Sequence, residues 1–297
     1  KTSVFYCRER NPRHFGNLIL NRLWRCIMKQ LYGLIGESIN YSLSPKIHSL
    51  IFEKLNIDGH YHTFEVKKED LEDGICGLSA LGIKGVNITI PYKVEVMKYL
   101  HEISEEGEKI GAINTILIEG DKKLGYNTDY FGLEKTVEYF NIPIRNKRAI
   151  ILGTGGAAKA VSRLLLDKDI KDISLVSRYR DLATPKYQDL RVLSYEDLKT
   201  IKNLDLIINC TPLGMYPYVN ETPVDKGVLS KFQWAIDLNY NPVETLFLKL
   251  SHQLGLKTAN GLFMLVGQAV KAQEIWQGLS IPRTLIEDIY KEVLSSD

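Results

Sequence analysis

Residues 148–161, RAIILGTGGAAKAV, constrain the fold of this chain more than any other stretch. An aliphatic run ends at Gly153, two further glycines stand at 155 and 156, and an alanine-rich helical pattern starts at once. A strand must therefore turn sharply into a helix. Gly153 permits the tight turn, Gly155 lets a ligand approach bare backbone, and Ala157 and Ala158 let the helix lie close on a sheet. The helix start offers unpaired N–H groups and a partial positive charge, which suit a pyrophosphate. The pattern predicts a dinucleotide site on Gly153, Thr154, Gly155, Gly156 and Ala157. A tight turn without a ligand is the alternative, and the order strand, turn, helix, strand weighs against it.

The end of the next strand selects the dinucleotide. NAD requires a carboxylate there for the ribose hydroxyls, whereas NADP requires cations for the extra phosphate. This chain has LVSRYRDL, with Ser177, Arg178 and Arg180 and no acid before Asp181. The reading is NADP; the alternative is that the arginines merely solvate a loop. Further strand patterns at 204–211 and 233–240, with helices expected over 244–254, 262–278 and 283–294, complete a doubly wound parallel sheet of Rossmann type. Its ligands belong at the carboxyl ends of the strands.

The first half also alternates. Strands are expected over 31–37, 59–66 and 83–92, helices over 45–55, 69–82 and 130–140, and a hairpin over 112–129 turning at EGDKK. This is a separate α/β layer domain. A length of 297 residues accommodates two cores, and 44% hydrophobic with 25% charged residues is ordinary for a globular protein.

No apolar run reaches the roughly 20 residues of a membrane span. The four cysteines include no CxxC pair, which points to free thiols in a reducing, cytoplasmic setting, with no disulfide framework and no metal site. Six basic residues against Glu9 give residues 1–27 a net +5, so the chain total of +2 leaves −3 on residues 28–297. The body thus has no electrostatic bias toward nucleic acid. Residues 1–27 read as a targeting presequence, a binding tail, or a non-native or non-catalytic leader ahead of Met28. The last reading is preferred, and the leader is expected to pack poorly and carry no chemistry.

Polar residues intrude where buried structure is expected. In GVNITIPYK, alternation sends Asn87 and Thr89 to one face, with Lys93 just beyond. GAINT contributes Asn114 and Thr115, and GYNTD contributes Asn127 and Asp129, the latter where an N-cap would begin a helix. In SINYSLSPK, Ser42 and Ser44 precede Pro45, although one serine suffices to cap a helix. Singly, each is explained by a turn, a cap or an internal hydrogen bond. Together they describe a small, neutral-polar pocket suited to a hydroxylated molecule.

Taken in order, YGLIGESINYSLSPKIHSLIF, GVNITIPYK, GAINT, GYNTD, GTGGAAKA, NCTPLGM, DLNYNP and NGLFMLVGQA resemble shikimate dehydrogenase, over about residues 30–297. The resemblance implies reversible, NADPH-dependent reduction of 3-dehydroshikimate to shikimate, on the way to aromatic amino acids. It implies a substrate domain over 28–129 completed by a returning segment, 263–297, and an NADP-binding domain over 130–262, with the site in the cleft.

Carried over by position, the family's substrate contacts fall on Ser42, Ser44, Asn87, Thr89, Lys93, Asn114, Asp129, Tyr240 and Gln268. Its cofactor contacts fall on Gly153 to Ala157, Ser177, Arg178, Thr211, Leu238 and Gly261, with Glu105 sometimes added. The SRY at 177–179 departs from the family's usual Asn-Arg-Thr but keeps the arginine.

Ser42 would then receive a ring carboxylate at a helix start, with Ser44 either binding it too or capping the helix, and Tyr240 would add a further donor. Lys93 would pass the proton to the ketone oxygen, with Asp129 orienting it. The expected partner is a small molecule, and the chain a monomer or homodimer. Two rivals remain: a broader, NAD-accepting quinate/shikimate dehydrogenase, and a non-catalytic nucleotide-sensing protein. The missing strand-end acid disfavours the first, and the presence of both Lys93 and Asp129 disfavours the second.

Overall fold

The structure, a computed structural model, describes residues 29–187, 189–202 and 204–295. The expected leader over 1–27 lies outside the described residues.

In the first half the strands β1 (Gln30–Gly36), β2 (Gly59–Glu65) and β3 (Ile83–Ile88) run parallel, β1 lying between the other two. Helices α1 (Ser44–Leu55) and α2 (Leu71–Gly77) connect them. The strand β4 (Glu102–Ile103), helix α3 (Glu105–Ile110) and the antiparallel hairpin β5 (Thr115–Glu119) and β6 (Lys122–Tyr126) complete a sheet of order β2-β1-β3-β5-β6-β4. Pleating sends Tyr32 and Leu34 of β1 to one face with Tyr61 and Phe52, and Ile35 to the other with Leu71, Ile75 and Tyr92.

Two expectations shift. The strand expected to reach residue 92 stops at Ile88, so Thr89 lies in the following turn, its N–H donating to the Ile35 carbonyl at 2.9 Å. The helix expected over 69–82 is confined to α2 after a short 3₁₀ turn, consistent with the weak helix formers Gly74 and Gly77.

Helix α4 (Thr128–Tyr139) leads into the second sheet. There β7 (Arg148–Leu152), α5 (Gly156–Asp167), β8 (Asp172–Val176), α6 (Arg180–Ala183) and β9 (Arg191–Leu193) wind one way. Then β10 (Leu206–Asn209), α7 (Lys226–Leu229), β11 (Trp234–Asp237), α8 (Leu246–Gln253) and β12 (Lys257–Ala259) wind the other. All pairings are parallel, in the order β12-β11-β10-β7-β8-β9. Read from β9 this is the 3-2-1-4-5-6 arrangement of a Rossmann sheet, with its switch point between β7 and β10.

Helices α9 (Leu262–Gln277) and α10 (Arg283–Leu294) leave that sheet and return to the first. Phe263, Val266, Val270, Ile286 and Ile289 close over Ile47 and Ile51 of α1, and the Trp276 indole donates to the Ile116 carbonyl at 3.0 Å. Helices α4 and α9 cross so closely that a Cβ on Gly132 would run into the backbone of Met264 and Gln268. That crossing brings Thr128, at the start of α4, to Gln268 on α9.

Among the described residues no helix is long and apolar enough to cross a membrane.

Candidate active site

Several chain segments converge between the two sheets. The first is the start of α1. Ser44 is the first helical residue rather than the cap; Leu43 holds the cap position and makes no side-chain bond. The Ser42 hydroxyl accepts the Ser44 N–H at 3.2 Å and donates to the Ser44 hydroxyl at 3.1 Å. The buried Tyr240 phenol, three residues beyond β11, meets the Ser42 hydroxyl and the Leu43 N–H, and burial pushes it above its usual range. Three hydroxyls thus gather at one helix start.

The second and third segments supply amides. Asn87, near the end of β3 and 4% exposed, accepts from the Tyr61 phenol at 2.8 Å and donates to the Thr115 hydroxyl at 3.0 Å. Asn114 donates to Asp129 Oδ1 at 2.9 Å and to the Thr128 hydroxyl at 3.0 Å, while its oxygen accepts the Thr128 N–H at 2.7 Å. It therefore clamps the first turn of α4.

That helix is capped by Asn127, whose oxygen accepts the Tyr130 N–H at 3.2 Å and whose amide donates to the Ala112 carbonyl at 2.8 Å. The cap expected of Asp129 is thus supplied two residues earlier, which leaves the Asp129 carboxylate for other partners. Lys93 is one of them: its Nζ donates to Asp129 Oδ2 at 2.6 Å, with the two side chains only 15% and 7% exposed. Gln268 from α9 closes this side, accepting from the Thr128 hydroxyl at 3.4 Å.

The glycine turn faces that pair. Gly153 has φ +105°, and a Cβ there would stand 3.2 Å from the Cys210 carbonyl, so the turn at the end of β7 lies directly against the end of β10. A Cβ on Gly156 would meet the Lys93 Cβ at 3.0 Å, so this glycine is required by the lysine rather than by the turn. A Cβ on Gly155 would meet nothing within 4 Å: no protein atom demands glycine there, and the space remains for a ligand.

Thr211, after β10, is held by Asn209 through its hydroxyl at 2.7 Å and its N–H at 3.0 Å. Leu238 and Gly261 are neighbours, since a Cβ on Gly261 would run into the Leu238 carbonyl. At the end of β8 the Ser177 hydroxyl accepts the Tyr179 N–H at 3.1 Å, and the Arg178 guanidinium stands 5.8 Å from the Tyr179 ring centroid. Arg180 is engaged by Asp197 at 3.6 Å.

Glu105 is placed elsewhere: it stands on the exposed first turn of α3, paired with Lys109 of the same helix and not with a residue of the glycine turn. Sequence reasoning passed over two groups, Thr128 and Tyr61. The available signal for Tyr61 was its inward position in the alternating GHYHTFEV, where a buried phenol needs a partner.

Chains folded this way use the switch point for a dinucleotide and the adjoining lobe for its reaction partner, which makes this a two-domain, dinucleotide-dependent oxidoreductase. The family described as "Shikimate dehydrogenase substrate binding domain" matches residues 34–116. The chain is 48% identical over 266 residues to the shikimate dehydrogenase (NADP(+)) of Clostridium perfringens, covering 89% of this chain and 98% of that protein. A chorismate mutase/shikimate 5-dehydrogenase fusion protein from Clostridium acetobutylicum superposes with a TM-score of 0.87 at 47% identity, covering 91% of this chain and 99% of that one. The Thermus thermophilus shikimate 5-dehydrogenase in complex with NADP(H) and shikimate superposes with a TM-score of 0.79 at 28% identity, covering 89% and 99%. The chain belongs to the shikimate dehydrogenase family.

Proposed function

We infer that the chain catalyses the reversible, NADPH-dependent reduction of 3-dehydroshikimate to shikimate in the biosynthesis of aromatic amino acids. The observation that carries this reading is the largely buried Lys93–Asp129 pair, 2.6 Å apart, standing against the first residue of the helix that follows the glycine turn.

Residues around the turn fit NADP. Open space beside Gly155 at the start of α5 suits a pyrophosphate, and Arg178 at the end of β8 suits an added phosphate where NAD would call for an acid. Gly153 to Ala157, Ser177, Arg178, Thr211, Leu238 and Gly261 would hold it; Glu105 would join them only through a rearrangement of α3. When bound, the cofactor supplies the hydride.

The chain's own groups do the rest. Ser42, Ser44 and Tyr240 donate to the ring carboxylate, helped by the positive end of the α1 dipole. Asn87, Thr89, Asn114 and Gln268 orient the ring hydroxyls. Lys93 gives its proton to the carbonyl oxygen, and in the reverse direction its neutral form takes the proton back. Asp129, itself fixed by Asn114, aims the ammonium. Residues 28–129 with 263–297 would form the substrate domain and 130–262 the cofactor domain, in a cytoplasmic monomer or homodimer.

The direct test is absorbance of the reduced nicotinamide with shikimate or quinate and NADP or NAD. Shikimate with NADP should react, with kcat/KM at least roughly tenfold above any other combination. Equal rates with NAD and quinate would overturn the narrower assignment, and no reaction with any pair would overturn the function.

A further inference from the structure

We propose that Tyr61 is a positioning residue: its phenol joins the serines at the start of α1 to the amide network around Lys93 and Asp129, and so sets the span between anion anchor and proton donor. The proposal rests on the dehydrogenase reading above.

Tyr61 occupies the middle of β2, opposite Tyr32 of β1, and is 4% exposed. Its ring lies face to face with His48 of α1, centroids 4.0 Å apart and planes 7° apart, so the phenol has one place to point. The hydroxyl donates to Asn87 Oδ1 at 2.8 Å and meets the Ser44 hydroxyl. Burial pushes this phenol well above its usual range, so it remains a donor throughout the working pH of any enzyme of this kind.

From Ser44 the hydrogen bonds continue to Ser42 at 3.1 Å and on to Tyr240. From Asn87 they continue to Thr115 at 3.0 Å, to Thr128 at 3.0 Å, to Asn114 at 3.0 Å, to Asp129 at 2.9 Å and to Lys93 at 2.6 Å. Tyr61 is the joint between these two runs. A cyclic substrate with a carboxylate at one side and a ketone at the other must satisfy both ends at once, so their separation has to be fixed before it binds.

The phenol also fixes which way the Asn87 amide faces. Oxygen and nitrogen ends of an amide have nearly the same shape, and only the donors and acceptors around them choose. A donor at Tyr61 holds the oxygen toward β2 and the NH₂ toward Thr115 and the Asn114 carbonyl.

Tyr61→Phe keeps the ring and its stack on His48 and removes one oxygen. Initial rates of shikimate oxidation should show KM for shikimate raised about tenfold and kcat lowered about threefold, a loss within the range for one buried group left without its partner. KM for NADP should stay within about twofold, because no part of the network is assigned to the cofactor. In a Ser44→Ala background the same substitution should cost less than about twofold, since both changes cut one route.

Wild-type constants in Tyr61→Phe would overturn the proposal, as would full additivity with Ser44→Ala. Equal losses in both KM values with a large fall in Tm would show support of the fold alone and would also overturn it. Absence of shikimate oxidation by the unaltered chain would sink the underlying reading as well, which separates the two failures.

Discussion

Lys93 and Asp129 lie 36 positions apart in sequence, in two segments that gain their meaning only by meeting. Removing one member of a buried pair leaves the other charge without compensation, a cost of about 3–5 kcal/mol where burial is complete. Here Asn114 still holds Asp129 Oδ1 when the lysine is gone, so Lys93→Ala should fold. It should bind NADP as the wild type does and lower kcat at least about a hundredfold, the lower range for general acid–base catalysis. Asp129→Asn should lose a similar factor, because the ammonium is then no longer aimed. Cofactor titration beside steady-state kinetics checks both, and near-normal turnover of Lys93→Ala would sink the assignment. The polar intrusions Asn87, Thr89, Asn114 and Asp129 were legible in the sequence because hydrophobic patterning breaks there. The choice of Asn127 over Asp129 as helix cap was not. Both are good cap residues two positions apart, and the contact that engages the Asn127 amide comes from the Ala112 carbonyl, 15 residues away. Tyr61 was hidden for a related reason, since an aromatic in an alternating strand reads as core whatever its hydroxyl touches.

At the scale of elements, the ends of β10 and β11 are locked together by a buried carboxyl. Asp237 closes β11, accepting from the Asn209 amide at 3.0 Å, the Asn239 N–H at 3.0 Å and the Thr245 hydroxyl at 2.5 Å. Asn209 in turn holds Thr211, and Asn239 donates to the Thr211 carbonyl at 3.0 Å, so one network shapes the loop after β10 and the segment leading to Tyr240. Burial pushes Asp237 up to about 7, against the pull of these donors. An unfolded Asp titrates near 3.9, so between roughly pH 4 and pH 7 the folded chain holds a proton that the unfolded chain has lost. That contribution to stability is complete below the lower value and is lost as pH rises through the higher one. His48 opposes it: burial lowers this imidazole to about 3, and its contribution, present above the unfolded value near 6.5, is lost as pH falls. The test must therefore compare variant with wild type. Asp237→Asn preserves the acceptor contacts and turns its amide to the Thr245 hydroxyl, so it mimics the protonated form. Its denaturant midpoint relative to wild type should rise between about pH 5 and pH 7, by the equivalent of about 1–3 kcal/mol, and level off above; a constant difference from about pH 5 to pH 7 would refute the buried-proton account. The β-α rhythm revealed the doubly wound sheet around this network. The three-residue strands β9 and β12 that finish it are too short to carry a period of their own and depend on their neighbours.

For the whole molecule the decisive question is how the two sheets are held around the cleft. At one side, Lys159 of α5 donates to the Gly111 carbonyl at 3.0 Å and the Tyr130 phenol donates to Asp167 at 3.0 Å. These contacts join α5 to the end of α3 and to α4, the chain connection itself. The loops beyond the carboxyl ends of β1 and β10 meet independently, through Tyr41 and Tyr216, whose ring centroids are 4.2 Å apart and planes 45° apart. Tyr41 directly precedes Ser42, and Tyr216 lies in the loop that begins at Thr211, so this contact couples the start of α1 to the loop after β10. Both rings are largely exposed, at 58% and 52%, and such a pair is worth at most about 0.5–1.5 kcal/mol. An interaction of that size can bias a closing motion without supporting the fold. Tyr216→Ala should therefore leave Tm within about 2 °C and raise KM for shikimate about two- to fivefold, while kcat is held or slightly raised because the cleft reopens more readily to release product. Tyr41→Ala should do the same, and the double variant should be no worse than either single one, since each removes the same contact. Steady-state kinetics on the three variants decides it: an unchanged KM, or losses that multiply, would mean that the rings touch without holding the cleft.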